Sequence, residues 1–126
     1  PKANAAPNLL QQDFSSSGPN QRWVADMTYI YTSEGWLYLA VVLDLYSLSI
    51  VGLAMSERMT ADLVASALKQ ALLRRKPGAG LIHHSDRGSQ YTSQHFQGLL
   101  KEQGILVSMS GAGNCYDNGV PRIIYL

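Results

Sequence analysis

Hydrophobic and polar positions alternate over residues 22–32, which predicts a β-strand. Trp23, Ala25 and Met27 share one face of this strand with two tyrosines. Val24 and Asp26 lie on the opposite face, because successive side chains of a strand point in opposite directions. The pattern therefore places one carboxylate in the middle of an otherwise largely apolar strand.

Two more strands are predicted at residues 36–45 and 49–55. The first is apolar on both faces, as is typical of a buried interior strand. The tight turn at Ser33-Glu34-Gly35 and the short second connection indicate that the three strands form an antiparallel meander.

Beyond residue 59 the apolar spacing becomes that of a helix, with Thr60 as its predicted N-cap and an end near residue 75. A short strand at 81–85, a second helix within 93–104 and a fifth strand at 105–109 follow. The order β-β-β-α-β-α-β predicts an α/β fold in which helices flank a five-stranded mixed sheet. The first and fourth strands are neighbours if the crossover returns beside strand one.

The predicted domain organisation is a linker or arm at residues 1–21 and a core at residues 22–126. Pro121 fits the first turn of a further helix, and the chain ends five residues later. We therefore expect the core to be incomplete at its C-terminus, with its last helix truncated.

Composition narrows the function classes. A chain of 126 residues with 46% hydrophobic content suits one globular domain, and its net charge of +1 excludes a strong overall basic field. The basic run Arg74-Arg75-Lys76 is either a solvated helix end or a phosphate-contacting patch. The single cysteine, Cys115, cannot form an internal disulfide, which fits a reducing cytosol, and no apolar stretch is long enough to span a membrane.

Asp26 and Asp86 are the candidate catalytic acids. Asp86 follows the fourth predicted strand, so the two carboxylates converge if strands one and four are adjacent. A divalent metal would relieve their repulsion, since Mg²⁺ binds carboxylates and fills its remaining sites with water and phosphate oxygens. Two such ions, which could clamp an in-line displacement at phosphorus, would need a third acid from the following element.

Other interpretations of these acids stay open from spacing alone. Asp26 could be a hydrogen-bonded strand residue, Asp86 could begin a turn, and Asp44 is better explained by a structural role. A local hydrolase triad within His83-His84-Ser85-Asp86 is disfavoured, because adjacent strand residues point to opposite faces. Cys115 has no histidine near it in sequence, which disfavours a thiol nucleophile.

The stretches NQRWVADMTYI, LYLAVVLDLYS, IVGLAMS, LIHHSDRGSQYTS and GNCYDNG resemble the integrase core of bacterial insertion-sequence transposases, the DDE group related to retroviral integrase. The resemblance implies a ribonuclease H-like fold and metal-dependent DNA cleavage followed by strand transfer. It implies Asp26 and Asp86 as the first two catalytic acids, holding two Mg²⁺ or Mn²⁺ ions. It also implies double-stranded DNA as substrate, a homo-oligomer on that DNA, and a bacterial cytoplasmic, nucleoid-associated location.

The third acid of that group is a glutamate separated from the second acid by 35 residues. Residues 87 to 121 number 35, so the expected position is 122, where this chain has Arg122. We expect impaired activity, with Asp117 as a possible substitute ligand. Candidate DNA contacts are Arg87, Asn114, Arg74, Arg75 and Lys76.

Two alternatives to a transposase stay open. One is a metal-dependent nuclease that cuts without strand transfer. The other is a non-catalytic remnant that binds DNA or intact transposase, which the missing glutamate favours.

Overall fold

The computed structural model describes residues 16–110, and their elements follow the predicted order. The fold class is confirmed as α/β, and one short helix, α2, was not predicted. The elements are β1 (Arg22–Thr32), β2 (Gly35–Asp44), β3 (Ser49–Ser56), α1 (Ala61–Arg75), β4 (Ile82–Ser85), α2 (Ser89–Thr92), α3 (Gln94–Glu102) and β5 (Leu106–Met109).

The described strands form one mixed sheet in the order β3-β2-β1-β4-β5. The meander β1-β2-β3 is antiparallel, as predicted. β4 pairs in parallel with β1 on one side and with β5 on the other, and this confirms that strands one and four are neighbours. β1 is thus the central strand, and it carries Asp26.

Helix α1 forms where the sequence predicts it, because a cap and an apolar stripe coincide. The Thr60 hydroxyl accepts a hydrogen bond from the Leu63 N–H at 3.3 Å, which satisfies one of the helix's otherwise unpaired donors. The buried side of the helix packs on the sheet face that carries Trp23 and Ala25. The buried residues of α1 are Leu63, Val64, Ala65, Ala67, Leu68 and Ala71.

Two contacts fix the position of α1 against β3. A Cβ built on Gly52 would lie 2.2 Å from the carbonyl oxygen of Ala67, so only glycine permits this approach of strand and helix. Close by, the Gln70 Oε1 accepts a hydrogen bond of 2.7 Å from the backbone N–H of Leu53. Helix and edge strand are therefore joined both by backbone packing and by a polar contact.

Asp44 has a structural role. It is fully buried, and it accepts hydrogen bonds of 2.9 Å from the backbone N–H groups of Asn20 and Tyr46. The Arg75 guanidinium completes the set with an ion pair at 3.4 Å and also donates to Ser49 at 3.2 Å. This cluster ties the C-terminal end of α1 to the start of β1 and to the β2–β3 turn.

Several predictions fall outside the described residues. These are the roles given to Asn114, Asp117 and Arg122, the truncated last helix, and most of the linker at residues 1–21. β1 begins at Arg22, and the division into an arm and a core stays a prediction. Within residues 16–110, no helix combines the length and the apolar character needed to cross a membrane.

Replacing Gly52 by alanine is expected to lower the free energy of unfolding by about 3 kcal/mol, because the new methyl group collides with the Ala67 carbonyl. Chemical denaturation followed by circular dichroism measures the change. The matched control is Gly98→Ala in α3, where nothing lies within 4 Å of the new Cβ and helix propensity predicts a gain of about 0.5–1 kcal/mol. Equal effects of the two substitutions would contradict the close approach.

Candidate metal-binding active site

Asp26 and Asp86 are brought together by the parallel pairing of β1 with β4. The paired positions end at Val24 and His84. Asp26 lies two residues further along β1, and Asp86 lies two residues after His84, directly beyond the end of β4 at Ser85. Neighbouring strands are about 4.8 Å apart, so this pairing directs two acids separated by 60 positions in sequence to the same region of the sheet.

Asp86 is exposed and begins the turn that leads into α2. Its Oδ1 accepts a 2.7 Å hydrogen bond from the N–H of Gly88, which is the N-cap of α2. A Cβ on Gly88 would lie 2.9 Å from this same oxygen, so the glycine leaves the space that the carboxylate occupies. The turn interpretation of Asp86 is therefore correct, and the turn also orients the carboxylate.

Asp26 is partly buried, and its Oδ1 accepts a 2.8 Å hydrogen bond from the N–H of Met27. The charges of Asp26 and Asp86 both act on Tyr91, a buried residue of α2. Burial raises the pKa of the Tyr91 hydroxyl well above its usual 10, and the two carboxylates raise it further, Asp26 more than Asp86. Because both carboxylates act on the same Tyr91 hydroxyl, this pKa shift supports a site shared by Asp26 and Asp86.

His83, Tyr91 and Phe96 form a buried aromatic cluster in the core of the protein. The Tyr91 ring packs edge-on against Phe96 with centroids 5.4 Å apart, and His83 contacts Phe96 at 5.2 Å. Burial lowers the pKa of His83 from 6.5 to about 4, with a further contribution from neighbouring His84. His83 is therefore neutral at pH 7.

The two adjacent histidines point to opposite faces of the sheet, which confirms the argument against a local triad. His83 faces the aromatic cluster, whereas His84 Nδ1 and the Ser108 hydroxyl form a buried hydrogen bond of 2.7 Å across β4 and β5. The sequence reasoning treated both histidines only as triad candidates and overlooked Tyr91. The position of Tyr91 within the HSDRGSQY block, five residues after Asp86, was the available signal.

The donor set of the pair fits a hard divalent cation. Carboxylate oxygens suit Mg²⁺ and Mn²⁺, and two carboxylates leave coordination positions for water and phosphate oxygens. Residues 16–110 contain no cluster of three or more potential metal ligands. The predicted additional ligand, Asp117, lies outside these residues.

The predicted DNA contacts lie in two places. Arg87 is exposed directly beside Asp86. Arg74 and Lys76 are exposed at the C-terminal end of α1, whereas the Arg75 guanidinium is held by Asp44 near the start of β1. Arg87 is thus the candidate nearest to the carboxylate pair, and DNA contact by any of these residues stays a prediction.

Comparison with known families and proteins agrees with this geometry. Residues 16–115 match the model of the integrase core domain. Over 111 residues the chain is 56% identical to the transposase InsF of insertion sequence IS3A from Escherichia coli K12, covering 88% of this chain and 38% of the relative. It is also 56% identical over 113 residues to a 31 kDa protein of insertion element IS600 from Shigella sonnei, covering 90% and 42%. The chain thus spans less than half the length of these relatives.

Solved retroviral structures share the fold. The simian T-cell lymphotropic virus intasome, in complex with a PP2A regulatory subunit, matches with a TM-score of 0.73 and 25% identity, over 80% of this chain and 35% of that one. The HTLV-2 integrase catalytic core domain, in a trimeric form with magnesium, matches with a TM-score of 0.69 and 25% identity, over 77% and 64%. These similarities confirm the expected ribonuclease H-like fold.

Gly88→Ala is expected to weaken Mn²⁺ binding about tenfold, because the added methyl group displaces the Asp86 carboxylate from its present orientation. Titration with Mn²⁺, followed by electron paramagnetic resonance of the free ion, measures the affinity. Gly78→Ala is the matched control, since a Cβ there meets nothing within 4 Å. Unchanged affinity in Gly88→Ala would contradict the orienting role of the turn.

His83 is expected to make the protein acid-sensitive. Its pKa is about 4 in the folded state and 6.5 in the unfolded state, so only the unfolded chain takes up this proton between those values. The free energy of unfolding should therefore fall by up to about 3 kcal/mol as pH decreases from 6.5 to 4. Denaturation curves of the native chain and of His83→Phe isolate this contribution, and parallel pH profiles of the two proteins would contradict it.

Proposed function

The chain belongs to the integrase core domain family, and on this premise we propose that it is the catalytic core of a bacterial insertion-sequence transposase. Its reaction is the cleavage of DNA phosphodiester bonds followed by strand transfer. The observation that carries the proposal is the parallel pairing of β1 with β4, whose last paired positions, Val24 and His84, each lie two residues before one of the acids Asp26 and Asp86. The 56% identity to a transposase over 88% of this chain supports it.

Asp26 and Asp86 hold Mg²⁺ or Mn²⁺ in this proposal. The bound metal supplies positive charge that activates the attacking oxygen and stabilises the leaving oxygen at phosphorus. The Gly88 N–H donates a hydrogen bond to one oxygen of Asp86 and thereby fixes the direction of the carboxylate. Tyr91 and Phe96 belong to the buried core that includes Trp23 and Ala25, and the charges of both carboxylates act on the Tyr91 hydroxyl.

Arg87 is positioned to bind the DNA backbone. It is exposed, directly follows Asp86 and carries a permanent positive charge suited to phosphate oxygens. Arg74 and Lys76 form a second, more distant contact for the same DNA, while Arg75 chiefly serves the fold through Asp44. We assign the catalytic core to residues 22–126, with residues 1–21 as an arm that leads into it.

The partners and location follow from the same proposal. The chain acts on double-stranded DNA as a homo-oligomer, in line with the trimeric form in which the HTLV-2 core was solved. We propose a bacterial cell, and the DNA of its nucleoid, as the location of the reaction, and the relatives from Escherichia coli and Shigella sonnei support the bacterial part of this proposal.

We propose further that this particular chain is impaired, because Arg122 stands where a third carboxylate is expected. A cation at that position repels the metal instead of binding it. Asp117 is the candidate replacement, and a ligand displaced by about 1 Å can cost about 100-fold in rate. The same substitution favours the second candidate function, a non-catalytic chain that binds DNA or intact transposase.

Nicking of supercoiled plasmid in the presence of Mn²⁺ tests the proposal. The variant Arg122→Glu is expected to nick about 100-fold faster than the native chain, because the missing carboxylate is restored. Adding Asp86→Asn to that variant should abolish nicking, whereas adding Asp62→Asn, at an exposed carboxylate of α1, should not. Nicking that survives Asp86→Asn would contradict the assigned site.

Two further measurements separate the alternatives. Joining of a 3′-hydroxyl oligonucleotide to target DNA by Arg122→Glu distinguishes a transposase from a nuclease, which would cut without joining. For the native chain, DNA binding that weakens steeply with salt would support the non-catalytic DNA-binding function, and a flat salt response would contradict it.

A further inference from the structure

Buried polar atoms without hydrogen-bond partners accumulate near the base of β4. Within residues 16–110, they include the indole Nε1 of Trp23, both ring nitrogens of His83 and the hydroxyl of Tyr91. The three side chains are at most 2% exposed. Buried polar groups in folded proteins are nearly always paired, so such a concentration requires an explanation.

These three side chains are neighbours. Trp23 and His83 are paired positions of adjacent strands and point to the same face of the sheet. The His83 and Tyr91 rings lie 6.3 Å apart, centroid to centroid. The three buried side chains therefore lie in one part of the core.

The same three residues are tied to the candidate metal ligands by the chain itself. Trp23 lies three positions before Asp26 on β1, and His83 lies three positions before Asp86 on β4. The Tyr91 N–H donates to the Gly88 carbonyl at 3.0 Å, within the turn that orients Asp86. The three residues thus belong to β1, which carries Asp26, to β4, which leads to Asp86, and to α2, which follows the turn at Asp86.

The donors and acceptors of the cluster are complementary to a water molecule. The indole supplies one donor, a neutral imidazole supplies one donor and one acceptor, and the phenol can do either. A water bridging them would make about three hydrogen bonds, as internal waters usually do. His83, with its pKa near 4, is neutral at pH 7, and the raised pKa of Tyr91 keeps its hydroxyl protonated.

We propose that Trp23, His83 and Tyr91 share an internal water, and that through it His83 and Tyr91 act as positioning residues which fix the spacing of Asp26 and Asp86. The positioning role rests on the proposed function, since it concerns the metal affinity of that pair. Neither residue contacts the reacting atoms. Their effect reaches the site through β1, β4 and the turn before α2.

The variant Tyr91→Phe tests this directly, because it removes one hydroxyl and keeps the ring that packs on Phe96. We expect Mn²⁺ affinity to fall about tenfold and the melting temperature to fall by about 4 °C. The matched control is Tyr38→Phe, the same chemical change at a partly buried tyrosine on β2. It should alter neither quantity.

Nuclear magnetic resonance gives an independent measurement. In the native chain, the Trp23 indole N–H and a His83 imidazole N–H should show cross-relaxation to a long-lived water, and Tyr91→Phe should abolish both signals. Absence of these signals in the native chain would overturn the internal water. A rise in melting temperature for Tyr91→Phe would do the same, since it would mean that the hydroxyl is unpaired.

The metal titration separates this inference from the proposed function. The titration uses Arg122→Glu as its background, because Arg122 is proposed to repel the metal. If Arg122→Glu binds Mn²⁺ and loses it when Asp86→Asn is added, an unchanged affinity on adding Tyr91→Phe would overturn the positioning role alone, even if stability falls. If Arg122→Glu binds no Mn²⁺, the proposed function and the positioning role fail together. In that case the cross-relaxation signals of Trp23 and His83 alone test whether the internal water is present.

Discussion

The parallel pairing of β1 with β4 is the contact on which the rest of this structure depends. A parallel pair cannot be made by a tight turn, so the chain must cross over through β2, β3 and α1 before β4 can return beside β1. That crossover requires α1 to lie close against the sheet, which Gly52 permits. The same pairing brings the segments that carry Asp26 and Asp86, which are distant in sequence, next to each other.

The sheet uses its aspartates in two contrasting ways. Asp44 accepts hydrogen bonds from the backbone and from Arg75, so its negative charge is compensated within the fold. Asp86 is left exposed and Asp26 only partly covered, although two like charges at this spacing repel each other. Keeping such a pair accessible suits a site where an external cation provides the compensation.

Much of the fold could be predicted from the sequence, because its signals are local. Alternation predicted β1, a stretch that is apolar on both faces predicted β2, and Thr60 predicted the start of α1. The neighbouring placement of β1 and β4 was predicted only on the condition that the crossover returns beside β1, as it does. The candidate acids were found by the same reasoning, since Asp26 interrupts an apolar strand and Asp86 follows one. Helix α2 was missed because a single turn carries too little periodicity to recognise.

Other features depend on three-dimensional contacts that no local pattern reveals. The ion pair of Arg75 with Asp44 joins residues from opposite sides of the crossover, and the basic run alone could not separate this role from DNA binding. The burial of Tyr91 likewise depends on how α2 packs. The place of residue 122 rests on a family spacing, and it lies outside the described part of the chain.

The bond from Gln70 to Leu53 has a consequence beyond joining α1 to β3. β3 is an outer strand of the sheet, and an outer strand presents backbone groups on which foreign strands can add and start aggregation. The Gln70 side chain occupies one of those donors and the helix stands over the neighbouring backbone. Addition of a foreign strand to β3 is thereby hindered at this point.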